Sequence, residues 1–276
     1  MRQPTNPTKK SNPALPVRPA LLGLLAALTL AVPARAARTV PVQIDGTALE
    51  AVCHLENGVT YVPLRALLNA LGGWELAWDT ELRAAVAVSG DSRLTASPAA
   101  GTVTVDGSAR SGRVYVREGV TYVPLRLTAE LLGGAVEWDV HYQGAAVTSP
   151  DADHNAVDFY WLSRIISAES RGEPLEGQIA VGNVVLERVE SPDFPDTIPE
   201  VVFQVADGFT QFEPVENGTV YLEPTEQSRE AARRALDGEK SLEGAMFFYA
   251  PALSEGVWIN GNRTYLTTIG CHRFYL

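Results

Sequence analysis

The stretch that decides how this chain is built is Gly58-Val59-Thr60-Tyr61-Val62-Pro63-Leu64-Arg65, which recurs 61 residues later as Gly119-Val120-Thr121-Tyr122-Val123-Pro124-Leu125-Arg126. Identity over eight residues marks an internal duplication. Each copy continues into an apolar helical run (Ala66 to Leu71, Leu127 to Leu132), a Gly-Gly pair (Gly72-Gly73, Gly133-Gly134) and a Trp-Asp pair (Trp78-Asp79, Trp138-Asp139). Tyr61-Val62 reads as a short strand, Pro63 ends its ladder and opens a helix, and Leu64, Leu67, Leu68 and Leu71 fall at helical spacing. Gly72 supplies the helix stop. Trp78 and the alternating run Ala84 to Val88 are expected to return as strands packing on that helix. One unit alone buries little surface, so the copies are expected to pair.

The 276-residue chain has 46% hydrophobic residues, the composition of a globular protein. Its first 36 residues hold five basic side chains (Arg2, Lys9, Lys10, Arg18, Arg35) and no acidic one, which leaves 17 basic against 33 acidic groups, a balance of −16. Such a surface disfavours nucleic acid as a partner. The basic residues precede an apolar run, Ala20 to Val32, and then Ala34-Arg35-Ala36, the pattern of a secretory signal peptide over residues 1–36. The run is short of the ~20 residues that span a bilayer, so no stable membrane span is expected after cleavage. The expected location is outside the cell.

The duplicated Tyr-Val-Pro-Leu-Arg motif, followed by a helix, Gly-Gly and Trp-Asp, resembles the copper amine oxidase N-terminal-like, or stalk, domain of exported proteins of spore-forming bacteria. The resemblance covers about residues 40–148, within a domain placed at 37–148. It implies a small α+β module in which an antiparallel sheet wraps a helix, and it does not imply copper. His54 and His141 are isolated and lack metal-ligand spacing, so no metal or other cofactor is expected. The module reads either as a device for attachment to the cell envelope or as a passive folding unit. Arg65 and Arg126 would meet anionic wall polymers in the first case and make contacts within their own repeats in the second.

Residues 149–157 are polar, include Pro150 and read as a linker to a second domain at 158–276. Beyond it, Trp161, Leu162, Ile165 and Ile166 mark one face of a helix, and the same stripe reaches Glu169. A carboxyl on an apolar helix face is held protonated near neutral pH, the condition for general acid catalysis. The alternative is that Glu169 snorkels to solvent or pairs with Arg164 or Arg171. A small, apolar helix from about Leu175 to Val189 is expected to pack closely in the core. A third helix runs from Pro224-Thr225 to Gly238, and strands are expected at Ala245–Tyr249, Val257–Ile259 and Thr264–Ile269. Cys53 and Cys271 are expected to be unpaired and mostly buried, with Cys271 in a strand beside His272.

The run Ile165-Ile166-Ser167-Ala168-Glu169-Ser170-Arg171-Gly172-Glu173-Pro174, then Glu176-Gly177-Gln178-Ile179-Ala180-Val181, Gln211-Phe212, Ala245 to Pro251 and Ile269-Gly270-Cys271-His272-Arg273-Phe274-Tyr275, is similar to the SleB-type cell wall hydrolases, the spore cortex-lytic enzymes. This resemblance covers residues 158–276. It implies a lysozyme-like or resuscitation-factor-like α+β domain that cleaves peptidoglycan between N-acetylmuramic acid and N-acetylglucosamine. The family's catalytic acid falls on Glu169, and the usual reaction is a lytic transglycosylation that needs one carboxyl. A two-carboxylate hydrolysis with Glu173 or Glu213 is the alternative mechanism. Glu173, Gln211, Phe212, Trp258 and His272 are the candidate substrate-binding residues, because sugars bind through hydrogen bonds and aromatic faces. The chain departs from the family's usual Asn-Arg at Glu187-Arg188, from Asn-Pro at Ala250-Pro251, and from Asn or Gly at Cys271. The stalk-like module also differs from the peptidoglycan-binding module that commonly precedes the spore enzymes. A non-catalytic wall-binding protein is the competing class. A metallo-amidase lacks its ligands, since His54, His141, His154 and His272 form no H-E-x-x-H set.

Overall fold

The computed structural model describes residues 37–276, and the expected signal peptide lies outside the described residues. After β1 (Arg38–Val40), the first copy of the duplication comprises β2 (Val42–Ile44), β3 (Thr47–Ala48), β4 (Cys53–Glu56), β5 (Val59–Pro63), α1 (Leu64–Leu71), β6 (Glu75–Asp79) and β7 (Ala84–Ser89). A connecting strand, β8 (Ser92–Ser97), leads to the second copy: β9 (Thr102–Val105), β10 (Ser108–Ser111), β11 (Tyr115–Arg117), β12 (Val120–Pro124), α2 (Leu125–Leu131), β13 (Ala135–Asp139) and β14 (Gly144–Thr148). The duplication is thus longer than its identical octapeptide. It extends back to the Asp45-Gly46 and Asp106-Gly107 turns.

The two copies are interlocked. Strands β5 and β12 pair antiparallel about Val62 and Val123, with Tyr61 opposite Pro124 and Tyr122 opposite Pro63, so a local two-fold relates the motifs. They lie in a sheet of order β1-β4-β5-β12-β11. A second sheet, β10-β9-β8-β7-β6, joins the end of the first copy to the start of the second, and a third, β13-β14-β2-β3, does the converse, with β14 parallel to β2. Each copy is completed by strands of the other. The shared core contains Leu64, Leu67 and Leu68 of α1, Leu125 and Ala129 of α2, and Val62, Leu94 and Val123 from the sheets. Trp78, expected on a strand packing against the helix, is 48% exposed, and its counterpart Trp138 is 41% exposed. Leu76 and Val136, two residues earlier on the same strand face, are the positions that reach the shared core, and each Trp lies further along its edge strand.

The second half is mainly helical: α3 (Ala156–Ser170), α4 (Leu175–Glu190), α5 (Ile198–Val202), the short strands β15 (Val205–Ala206) and β16 (Phe209–Thr210), α6 (Glu213–Asn217) and α7 (Glu226–Leu236). It closes with β17 (Phe247–Tyr249), α8 (Val257–Asn262), β18 (Tyr265–Ile269) and β19 (His272–Tyr275), which form a three-stranded sheet in the order β17-β19-β18. The whole is α+β, with the sheet-rich module first and the helical domain second. Its core packs α3, α4 and α7 through Trp161, Ile165, Ile166, Val181, Val184 and Ala232. Gly182 makes the close approach possible, since a Cβ there would lie 2.9 Å from Ile166 Cδ1 and 3.3 Å from Ala235 Cβ.

Two local expectations are corrected. Val257–Ile259 is helical, because the Asn260 amide donates to Tyr249 Oη and Glu255 O, and Asn262 donates to Trp258 O, so side-chain bonds coil the segment. Cys271 is exposed in the β18–β19 turn instead of buried in a strand, while Cys53 is buried and both are free.

The polar stretch 149–157 is held at both ends, and α3 takes in its last two residues. Asn155 caps α3 by accepting from Val157 N and Asp158 N, Thr148 Oγ1 accepts from Ala156 N at 3.0 Å, and Asp45 accepts from Ser149 N at 2.8 Å. Gln43 of β2, fully buried, donates to Ala156 O at 3.3 Å. The turn at Gly46 has φ +78, and a Cβ there would meet Phe159 of α3 at 2.6 Å, whereas the equivalent Gly107 has nothing within 4 Å. Duplication made two such turns, and one became the seat of the second domain. Gly46→Ala is therefore expected to cost stability beyond Gly107→Ala, which shares the backbone strain but not the clash. Thermal unfolding of the two variants checks the difference.

Candidate active site

Glu169 lies in the last turn of α3, after the buried Ile165 and Ile166, and Gly172 and Pro174 follow as the chain turns into α4. Burial pushes its carboxyl up to about 7; the nearby Glu213 charge adds to the shift and the Arg188 cation opposes it. Arg164, a possible partner in the sequence, is committed to Glu223 at 2.6 Å and lies over the Tyr160 ring. Glu169 opens onto a cleft of about 500 Å³. The cleft is walled by Arg188 of α4, by Gln211, Phe212 and Glu213 at the start of α6, by Phe248 and Tyr249 of β17, and by His272 of β19.

Arg188 carries much of that wall. It is 5% exposed, its Nε donates to Met246 O at 2.8 Å, and its guanidinium lies 5.0 to 5.5 Å from the rings of Phe194, Phe212 and Phe247. Its Nη1 is buried and has no partner among the described residues. Burial lowers its pKa to about 10, against the pull of Glu169, so it is a cation at neutral pH. The aromatic cage stabilises that cation without neutralising it. The arrangement leaves an acid with a raised pKa and a fixed cation facing one cleft.

The predicted residues divide. Glu169, Gln211, Phe212 and His272 come together in the cleft, Phe212 as a 2% exposed ring beneath Arg188. His272 is also buried, and burial lowers its pKa against the influence of Glu173 3.9 Å away, so its imidazole is neutral at pH 7. Trp258 is not in the cleft wall. It sits on α8, 58% exposed, with its ring 6.0 Å from Phe247 and beneath Arg263. Glu173 is not in the wall either: its Oε2 accepts from Cys271 N at 2.8 Å and fills the space where a Gly270 side chain would be, 1.8 Å from that virtual Cβ. It fastens the β18–β19 turn to the α3–α4 junction. The bond joins segments 98 residues apart at an exposed turn, so Glu173→Ala is expected to lower stability by about 1 kcal/mol in thermal or denaturant unfolding. Arg188, Phe248 and Tyr249 are cleft residues that periodicity does not reveal; the apolar setting of a lone Arg in α4 was the available signal for Arg188. Among the described residues no group of His, Cys, Asp and Glu is arranged to hold a metal ion.

Comparison with known proteins places both halves. The family described as Cell Wall Hydrolase matches residues 172–275, and that described as Copper amine oxidase N-terminal domain matches residues 43–150. The cell wall hydrolase CwlJ of Halalkalibacterium halodurans is 34% identical over 100 residues, 34% of this chain and 68% of that protein. This chain belongs to the cell wall hydrolase family. The spore cortex-lytic enzyme of Bacillus subtilis (strain 168) is 36% identical over 132 residues, 48% of this chain and 42% of that enzyme. The chain thus spans less than half the length of that family member. The solved catalytic domain of the germination-specific lytic transglycosylase SleB from Bacillus anthracis is 32% identical, with 45% of this chain and 98% of that one covered and a TM-score of 0.39. The family match begins three residues after Glu169, so the geometry of the cleft is what assigns importance to that residue here.

Proposed function

We propose that this family member is an exported peptidoglycan-degrading enzyme, acting at the cell wall or spore cortex, that cleaves the bond between N-acetylmuramic acid and N-acetylglucosamine as a lytic transglycosylase with Glu169 as its one catalytic carboxyl. The observation that carries the reading is a carboxyl pushed up to about 7 by burial and opening onto a cleft large enough for sugar rings. Protonated Glu169 donates its proton to the glycosidic oxygen as the bond to C1 of the muramoyl residue breaks. The resulting carboxylate then takes the proton of that residue's 6-hydroxyl, whose oxygen closes on C1 to give a 1,6-anhydro end. The proton count balances, and neither water nor a second carboxyl takes part. Arg188 lies beside the acid and stabilises its carboxylate form. The amino-terminal module would serve attachment to the envelope.

A hydrolytic mechanism is the second reading, favoured by one observation: Glu213 lines the same cleft and its charge acts on Glu169. Digestion of cortex and vegetative peptidoglycan, with mass analysis of the fragments, separates the two. Anhydro-muramic ends that vanish with Glu169→Gln establish the transglycosylase, and reducing muramic ends establish the hydrolase. Absence of cleavage by the unmutated chain on either material would overturn both and favour a wall-binding protein.

The acid form is depleted as pH rises through about 7, so the rate is expected to fall along that limb. Arg188 holds the Glu169 pKa down, and Arg188→Met is therefore expected to move the alkaline limb to higher pH. A pH–rate profile of the two proteins checks the sign.

A further inference from the structure

Two concave surfaces of the amino-terminal module are built alike, and neither is used by the proposed chemistry. One, of about 830 Å³, is lined by Arg65 and Trp78 of the first copy and by Val120 and Thr121 of the second. The other, of about 650 Å³, is lined by Arg126 and Trp138 of the second copy and by Val59 and Thr60 of the first. The local two-fold through Val62 and Val123 exchanges them. In each, the Arg side chain is anchored to a backbone carbonyl two residues before the Trp: Arg65 Nη2 donates to Leu76 O, and Arg126 Nη1 donates to Val136 O.

The duplication supplies its own two-sequence comparison. Buried helix positions have drifted, Leu67 to Thr128 and Leu68 to Ala129, although all four are 0–1% exposed. The exposed residues Val59/Val120, Arg65/Arg126 and Trp78/Trp138 are unchanged. The buried pairs Val62/Val123 and Leu64/Leu125 are kept as packing requires, but packing does not account for the retention of half-exposed valines and indoles. Both tryptophans also lie on edge strands, β6 and β13, where a half-exposed indole adds little to the sheet.

We propose that these are twin glycan-binding grooves, each stacking a sugar ring on its tryptophan and hydrogen-bonding it through its arginine and threonine, so that the module grips a peptidoglycan strand at two points. The indole face suits the C–H face of an amino sugar, and the anchored guanidinium keeps free donors for acetamido and lactyl oxygens. An anionic wall polymer is the poorer occupant, because each groove anchors its repeat Arg beside an indole, and the further arginines of the second groove, Arg110 and Arg113, are paired with Glu130 and Glu56. The inference deepens the proposed role at the wall and names the site for it. Two sites of like build on one module favour long strands over short oligosaccharides through avidity; they differ in that Arg38 lies over the Trp138 ring, 5.8 Å from its centroid.

The test measures binding of the Glu169→Gln chain to insoluble peptidoglycan, both intact and stripped of anionic accessory polymers. Trp78→Ala and Trp138→Ala are each expected to weaken binding about tenfold, and the pair on the order of 10²-fold. Cleavage of short soluble glycan fragments by the Glu169 protein carrying the same pair should be unchanged. Parent-like binding by the double variant would overturn the proposal, as would binding that disappears once the anionic polymers are removed. If either Trp variant melts early, Arg65→Gln with Arg126→Gln repeats the test with both indoles in place. The assay needs no catalysis, so loss of binding in the Trp variants would support the grooves even if the unmutated chain cleaved no peptidoglycan, the separate result that overturns the lytic reading.

Discussion

Glu169→Gln is expected to lower glycan cleavage by about 10³-fold, within the range that a general acid contributes, and to leave the fold intact. The same substitution should stabilise the protein in alkaline solution. The folded carboxyl titrates at about 7, against an ordinary value of 4.5. Its pKa is raised on folding, so its contribution to stability is fully present below about pH 4.5 and is lost as pH rises through 7. Glutamine carries no charge to bury. Above pH 7 the variant should therefore be the more stable protein by up to about 3 kcal/mol, and below pH 4.5 the two should converge. Denaturant unfolding at pH 4, 6 and 8, with activity measured alongside, checks both. A variant that is inactive but no more stable than the parent at pH 8 would contradict the burial argument. One that keeps most of its activity would remove Glu169 from the mechanism.

Asp139→Ala is expected to cost about 3 kcal/mol, and its counterpart in the first copy, Asp79→Ala, about 1 kcal/mol. Both aspartates brace the same turn: Asp79 Oδ1 accepts from Glu81 N and Leu82 N, and Asp139 Oδ1 accepts from His141 N and Tyr142 N. Only Asp139 has a second task. Its Oδ2 accepts from Trp161 Nε1 at 2.6 Å, in a buried contact with the helix that carries Glu169. Two residues on, His141 stacks on Phe203 with ring centroids 3.7 Å apart. Removing the carboxylate leaves a buried indole N–H without its acceptor, the costly kind of loss. The difference of about 2 kcal/mol should appear as a melting temperature roughly 4–8 °C lower for Asp139→Ala than for Asp79→Ala. Equal losses would mean that the module and the helical domain are energetically separate.

The residues of these two predictions were not equally legible in the sequence. Glu169 stood out because an ionisable group on an apolar helix stripe breaks the pattern around it, and helical spacing is a local property. Asp139 did not, since its Trp-Asp setting is shared with Asp79 and nothing nearby says that one of them meets a helix 22 residues on. Arg188 was hidden for the same reason: its three phenyl rings come from three separate segments. Glu173 and Trp258 were drawn towards the cleft by chemical type, and tertiary packing gave the first to a turn amide and the second to the outer face of α8.

By itself, the sequence determined what depends on neighbours along the chain: the duplication, the strand-proline-helix units, the helices of the second half and the acid on an apolar stripe. Those follow from backbone sterics and from the periodicities of 2 and 3.6 residues. Tertiary structure alone decided which strands pair between the copies, which of two like turns receives α3, and which side chains from distant segments face Glu169. These are choices among long-range contacts of similar local cost, and only the combined burial of both halves separates them.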